Sequence, residues 1–383
     1  GTGLSTHELN QPGCYREVKD VSAVALFQLE AALNPNIENS CKDFSPIFCA
    51  AWTTTPWTLP SNTALAVGEK IKYCIVETFN PYTKAKNYII LAKDLVPKWF
   101  KPEMEWTATG PLPEPIDKNI NYRIVSQDFF GSSLQGLSYR PLFNYAKPTE
   151  GDAYKILIGD FVSTEEGTGI VHIAPSFGAD DMRVAKKYGI GTLTLVDRQG
   201  KFTEEVTDFA HEYVKEDFLS EEEKHHEKIR LGLDRYLSVD ERIVIKLKSE
   251  GKLFNSQKYA HNYPHCWRTD KPVLYYPLDS WFIKVTAIKD RMVALNKTIN
   301  WKPESTGVGR FGHWLENLQD WNLSRSRYWG IPLPIWRNKN GDVAKCIGSI
   351  EELQLEIEKA NNLLNLSQII PQDLHRPYID QII

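Results

Sequence analysis

Three consecutive threonines set between two tryptophans stand out in Ala51-Trp52-Thr53-Thr54-Thr55-Pro56-Trp57-Thr58-Leu59-Pro60-Ser61-Asn62. Thr53, Thr54 and Thr55 offer three hydroxyls and no charge. Pro56 and Pro60 fix the backbone, and Trp52 and Trp57 can wall a cavity. Strand-forming runs lie on both sides, Ile47-Phe48-Cys49-Ala50 before and Thr63-Ala64-Leu65-Ala66-Val67 after. A polar, uncharged loop held between strands suits a ligand rich in hydroxyls, such as a ribose or a small amino acid. The same residues also read as a threonine-rich edge strand ending in a proline-punctuated turn.

A second group lies in Gly167-Thr168-Gly169-Ile170-Val171-His172-Ile173-Ala174-Pro175-Ser176-Phe177-Gly178-Ala179-Asp180-Asp181. His172 follows a strand-like run and shares a face with Ile170 and Ala174 at a spacing of two. It reads either as a hydrogen-bonded core histidine or as a site residue. Asp181 opens an expected helix over 181–188, with Asp180 or Ala179 as cap and Gly189 as stop. Helix capping and dipole compensation would by themselves explain a carboxylate there.

The threonine run resembles the editing insertion of isoleucyl-tRNA synthetases, and the segment through His172 and Asp181 is similar to the other half of that editing site. A third run, Asn317-Leu318-Gln319-Asp320-Trp321-Asn322-Leu323-Ser324-Arg325-Ser326-Arg327-Tyr328-Trp329-Gly330-Ile331-Pro332, resembles the return of that chain into the aminoacylation domain. The three occur in family order and span most of the chain. Valine and leucine synthetases typically carry Thr-Thr-Arg-Pro at the threonine position. Thr54-Thr55-Pro56-Trp57 has no arginine, which favours the isoleucine branch over a valyl-type editing domain.

What the resemblance implies is specific. Asp181 would hold the α-ammonium of the amino acid attached to tRNA, an apt partner for charge-assisted hydrogen bonds. His172 would stand beside the amino-acid side chain and limit its size. Thr53, Thr54 and Thr55 would hold the terminal ribose, the ester carbonyl and the attacking water. Trp57 would wall the pocket, and Asn62 matches a position near the site. Thr53, Thr54 and Asp181 carry the catalytic expectation; Thr55, Trp57, Asn62, His172 and Asp181 carry the binding one.

Magnitudes explain why such a site exists. Valine lacks one methylene of isoleucine, worth only about 1–3 kcal/mol to a binding pocket; the resulting discrimination of roughly 150-fold is an established value for synthetases of this specificity. A second site that admits valine, excludes isoleucine by bulk and hydrolyses the ester supplies the rest. The chain contains no Gly-x-Ser-x-Gly, and an activated ester needs no nucleophilic triad. Positioned water and oxyanion stabilisation by hydroxyls and backbone N–H groups should carry most of the effect; a histidine general base is compatible with this but not required. A ribose hydroxyl of the tRNA is a candidate for moving the proton. A binding-only module and a metal-dependent hydrolase are the competing classes.

The candidate metal ligands are thin. His261, His265 and Cys266 are close in sequence, but Thr269 stands where many relatives have a second cysteine, and zinc wants four ligands. His211-Glu212 and His225-His226-Glu227 lack the His-Glu-x-x-His spacing and read as solvated helix faces. No metal site is expected. Arg325, Arg327, Tyr328 and Trp329 form a basic and aromatic cluster that could touch tRNA or pack against another domain.

The elements that must position these residues read as α+β. A β-barrel-like editing core is expected, with flanking helical and connector segments. Tyr73-Cys74-Ile75-Val76 and Tyr88-Ile89-Ile90-Leu91 read as a hairpin, and 154–158 and 169–174 as further strands. A helix-leaning run passes through Ala23-Val24-Ala25-Leu26-Phe27. Residues 206–252 switch to helix, with capping-box spacing at Ser220/Glu223 and Ser238/Glu241. Helices are expected over 285–295, 311–318 and 350–364. The expected division is an incoming segment from the catalytic domain over 1–40, the editing domain over 41–262, and a connector over 263–383 returning to an incomplete Rossmann domain.

Composition sets the outer bounds. Of 383 residues, 42% are hydrophobic and 25% charged, ordinary for a globular protein. A net charge of −4 gives no bulk electrostatic sign of a nucleic-acid binder, so contact with tRNA must be local or made largely by parts of the protein outside this chain. Six scattered cysteines fit reduced thiols and a cytoplasmic setting. No apolar stretch approaches the ~20 residues of a membrane span. Neither HIGH-type nor KMSKS-type ATP motifs occur. The resemblance therefore implies an excised piece without cofactor, ATP and Mg serving the whole enzyme. Its partners would be the valine-carrying 3′ end of tRNA(Ile) and the rest of the synthetase.

Overall fold

The computed structural model describes residues 3–4, 6–30, 41, 45–116, 120–324 and 333–383. They fall into two units, 3–277 and 278–383. The first is built on a ten-stranded mixed sheet. Its strands are β1 (Tyr15–Gln28), β2 (Ile47–Thr53), β3 (Ala64–Val67), β4 (Lys72–Phe79) and β5 (Lys86–Ala92), then β6 (Arg123–Ile124), β7 (Phe129–Phe130), β8 (Lys155–Ile158), β9 (Ile170–Ile173) and β10 (Leu253–Pro264). The path runs β6-β4-β5-β2-β9-β3-β8, with β1 joining β2 to β10 and β7 on β4.

The run expected to lean helical, Ala23–Phe27, is the inner part of β1. Ala23, Ala25 and Phe27 join one apolar core while Val24 and Leu26 join another. A strand buried on both faces reads as a continuous apolar run, and that run lacks the polar face of an amphipathic helix. The expected hairpin is present as β4 and β5, paired antiparallel from Tyr73↔Ala92 to Phe79↔Lys86. Asn80 shapes its turn by accepting the Tyr82 and Thr83 N–H groups at 2.9 and 3.1 Å.

The α+β expectation holds, but the strands do not close a barrel: β8 ends the path. Beyond it, among the described residues, an extended stretch makes isolated bridges to β8 and to the residue after β1, Ser138↔Lys155 and Leu29↔Tyr139. Gly136 interrupts this stretch at φ +83°, which limits regular pairing there.

Helices pack at the margins: α1 (Ala179–Tyr188), α2 (Glu221–Arg230) and α3 (Val239–Ser249). Gly178 is the N-cap of α1, where Asp180 or Ala179 was expected, and Gly189 stops it at φ +65°. Asp180 instead pairs with Arg183 at the surface. Ser220 and Ser238 both form complete capping boxes. The helical reading of 206–252 fails over 206–219, where Val206, Phe209 and Val214 are buried in turns beside the Lys201↔Tyr213 bridge.

The second unit holds α4 (Lys289–Asn296), α5 (Arg310–Glu316) and α6 (Ile350–Leu364), with two short strand pairs. The expected helix over 285–295 begins as a 3-10 turn, Val285–Ile288. The Arg325, Arg327, Tyr328 and Trp329 cluster lies outside the described residues. Among the described residues, no helix is long and apolar enough to cross a membrane.

Candidate functional site

The threonines leave the end of β2 and enter a 3-10 turn, Pro56–Ser61. Thr53 is buried; Thr54 and Thr55 are half-buried. The Thr53 hydroxyl accepts the Thr55 N–H at 3.1 Å and lies 3.4 Å from the Thr55 hydroxyl. β2 and β9 run parallel and meet at Trp52↔Val171, so Thr53 and His172 follow on adjoining strands. Two segments separated by more than a hundred residues in sequence thus meet in space.

Thr58 joins them, and sequence reasoning passed it over as part of the turn. Its hydroxyl donates to the Thr55 carbonyl at 2.8 Å and lies 3.0 Å from His172 Nε2. A hydroxyl has one proton, and it is already given to the carbonyl. With the Thr58 proton on that carbonyl, His172 Nε2 is the protonated nitrogen and donates to Thr58. Burial holds the imidazole neutral, with its pKa lowered to about 4. Nδ1 is then a bare acceptor, buried and without a protein partner.

Asp181 reaches back from α1, and its Oδ2 accepts the Ala174 N–H at 2.8 Å. Ala174 is two residues past His172, so the carboxylate is fixed to the same strand end. Burial raises the Asp181 pKa to about 6, opposed by the Ala174 hydrogen bond. At neutral pH it remains mostly ionised. A Cβ on Gly178 would come within 2.8 Å of Asp181 Cγ, so that glycine leaves the carboxylate its space.

Trp57 is only 2% exposed and packs edge-on against Phe177 at 5.1 Å between ring centroids. Phe177 belongs to the second motif, so this contact also clamps the two halves together. Asn62 is buried and acts as a latch: it donates to the Ala64 carbonyl at 2.8 Å and accepts from Tyr139 OH at 2.6 Å. Those bonds hold the end of the turn against the sheet.

The His261, His265 and Cys266 group is spent on other contacts. His261 Nε2 lies 3.3 Å from Asp20, and His265 Nδ1 donates to the Tyr263 carbonyl at 2.9 Å. Among the described residues, no three His, Cys, Asp or Glu side chains cluster as metal ligands would.

The site is therefore a row of hydroxyls beside a neutral imidazole, with one carboxylate alongside. It can accept a hydroxylated ligand, pair with one cation and orient a water.

Comparison with known proteins agrees on the family. The family model for tRNA synthetases class I (I, L, M and V) matches residues 13–375. Relatives include the isoleucine–tRNA ligases of Cytophaga hutchinsonii, at 58% identity over all of this chain and 34% of that protein, and of Porphyromonas gingivalis, at 48% over all of this chain and 36% of that protein. The ligase of Clostridium novyi is 38% identical, with 30% of its length covered. The chain thus spans about a third of the curated relatives it matches. Among solved structures, the editing domain of P. knowlesi cytosolic leucyl-tRNA synthetase aligns at 12% identity and a TM-score of 0.38, over 64% of this chain and 98% of that one. With the matched model running from residue 13 to residue 375, the chain belongs to the class I tRNA synthetases of the isoleucine, leucine, methionine and valine group.

Proposed function

We propose that this chain is the editing part of an isoleucyl-tRNA synthetase, with its flanking connections, and that it hydrolyses valine from misacylated tRNA(Ile). The editing domain would occupy 41–262, between an incoming segment over 1–40 and a connector over 263–383. The observation that carries the reading is the Thr53–Thr55–Thr58–His172 chain of polar contacts bridging β2 and β9. Its neutral hydroxyls suit a ribose and an ester carbonyl, and the missing positive charge in the loop suits an uncharged ester.

The roles follow from chemistry. Asp181 pairs with the α-ammonium of the bound aminoacyl group, and that cation would lower its pKa further. Burial keeps His172 neutral, and its contact with Thr58 orients the ring. It acts as a wall and an acceptor rather than as the base that activates water. Thr53 and Thr54 orient the water and the carbonyl, Thr55 the ribose. Trp57 and Asn62 act through the backbone they hold. Oxyanion stabilisation by preorganised donors is the main contribution.

ATP and Mg belong to the aminoacylation site of the proposed whole enzyme. The residues here do not fit them, since neither ATP motif occurs. The test is deacylation of Val-tRNA(Ile) and Ile-tRNA(Ile) measured side by side, with hydrolysis expected of the valyl ester alone. Equal hydrolysis of both esters would remove the size sieve and the reading with it.

A further inference from the structure

One fully buried carboxylate has no part in the roles above. Asp240 sits in the first turn of α3, two residues after its N-cap Ser238, and is 8% exposed. Its Oδ1 accepts the Trp57 N–H at 2.7 Å, across 183 residues of sequence. That N–H is the first in the 3-10 turn after the threonines, because Pro56 has none. The residue at the cap, Thr55, makes no side-chain capping bond. Without Asp240 a buried donor would be left unpaired.

Behind Asp240 lies a charge relay. Lys215, 5% exposed, acts on Asp240 and bonds Asp20 at 2.8 Å; Asp20 in turn faces His261 at 3.3 Å. Glu216 and Tyr263 complete the titratable groups around it. Asp20 and His261 come from β1 and β10, Lys215 from the turns before α2. α3 is thereby tied to the turn after the threonines by the Asp240–Trp57 hydrogen bond, beside the shared apolar packing of Trp57 and Leu59 with Ile243 and Leu247.

We propose that Asp240 is a positioning residue for the threonine loop: it caps the 3-10 turn from a distant helix and so fixes Thr55 and Thr58 against His172. Thr58 is one residue past the capped N–H, and its hydroxyl must meet both the Thr55 carbonyl and His172. A loose turn would break both contacts while leaving the sheet intact. The proposal rests on the hydrolytic reading for its activity readout but not for its structural one.

The experiment compares wild type, Asp240→Ala and Asp240→Asn in the full-length protein that carries this chain. Backbone hydrogen exchange at Trp57 and Thr58 is followed beside Val-tRNA(Ile) deacylation. Asp240→Ala should speed Trp57 exchange roughly tenfold to a hundredfold, the scale of one lost buried bond. It should lower kcat about tenfold or more with KM nearly unchanged. Asp240→Asn keeps the acceptor and should restore most of both. Should the alanine variant fail to fold, Asp240→Ser, whose shorter side chain cannot reach Trp57, carries the same comparison. Unchanged Trp57 exchange in the alanine or serine variant would overturn the proposal, as would an asparagine variant that behaves like alanine. If wild type leaves Val-tRNA intact, the hydrolytic reading fails while the exchange result still decides the role of Asp240.

Discussion

His172 and Asp181 are shifted in opposite senses by the same cause, burial, and each shift has a consequence that can be measured. The His172 pKa is lowered to about 4, so its contribution to stability is present above its ordinary value near 6.5 and is lost as pH falls through 4. An imidazole titration by NMR should show His172 neutral throughout the range where exposed histidines titrate; a midpoint near 6.5 would contradict the burial that lowers its pKa. Asp181 is raised to about 6 from 3.8, so its contribution is present below about 3.8 and is lost as pH rises through 6. Asp181→Asn should therefore stabilise the fold by about 1–3 kcal/mol above pH 6, with the gain fading towards pH 4, while abolishing the proposed ammonium site. Denaturant unfolding at both pH values checks it. Gly178→Ala should weaken the same site without removing any charge, because the added methyl meets the Asp181 carboxyl. A raised KM for the valyl ester is the expected readout.

Among the elements, the 3-10 turn is what makes a site of two strand ends. Thr58→Val keeps the shape and removes the hydroxyl. It leaves the buried Nε2–H of His172 unpaired, and should cost about 1–3 kcal/mol in unfolding experiments as well as most of the activity. Gly169 marks the other constraint: its φ is +75°, and a Cβ there would meet the Ala92 Cβ at 2.4 Å. Gly169→Ala should therefore destabilise the sheet by more than about 1 kcal/mol, measured as a lowered thermal midpoint.

These same elements show what was legible in the sequence. The hairpin, the two capping boxes and the helix stop at Gly189 depend on neighbours in the chain, and pattern reading found them. Thr53, Thr55 and His172 were visible as residue types, but their adjacency follows from the parallel pairing of β2 with β9, which no local signal carries. Thr58 and Asp240 were missed for related reasons. One looked like turn filler, and the other like an ordinary acidic residue in the first turn of a helix. Ala23–Phe27 misled because two-sided burial erases the alternation that identifies a strand.

For the whole molecule, the family is fixed by a match from residue 13 to residue 375, while the activity remains a proposal resting on one site. The chain spans about a third of the curated relatives it matches, and on the proposed reading the rest of the protein would share in holding the tRNA. Hydrolysis by this chain alone should therefore be slower than by the full-length protein, chiefly through a higher KM.

The most direct measurement is deacylation of Val-tRNA(Ile) and Ile-tRNA(Ile) by the full-length protein carrying this chain, with wild type beside Asp181→Ala. Hydrolysis of the valyl ester only, lost in the variant, is the expected result. An Asp181→Ala protein that still clears Val-tRNA(Ile) at the wild-type rate would contradict the assignment of the site.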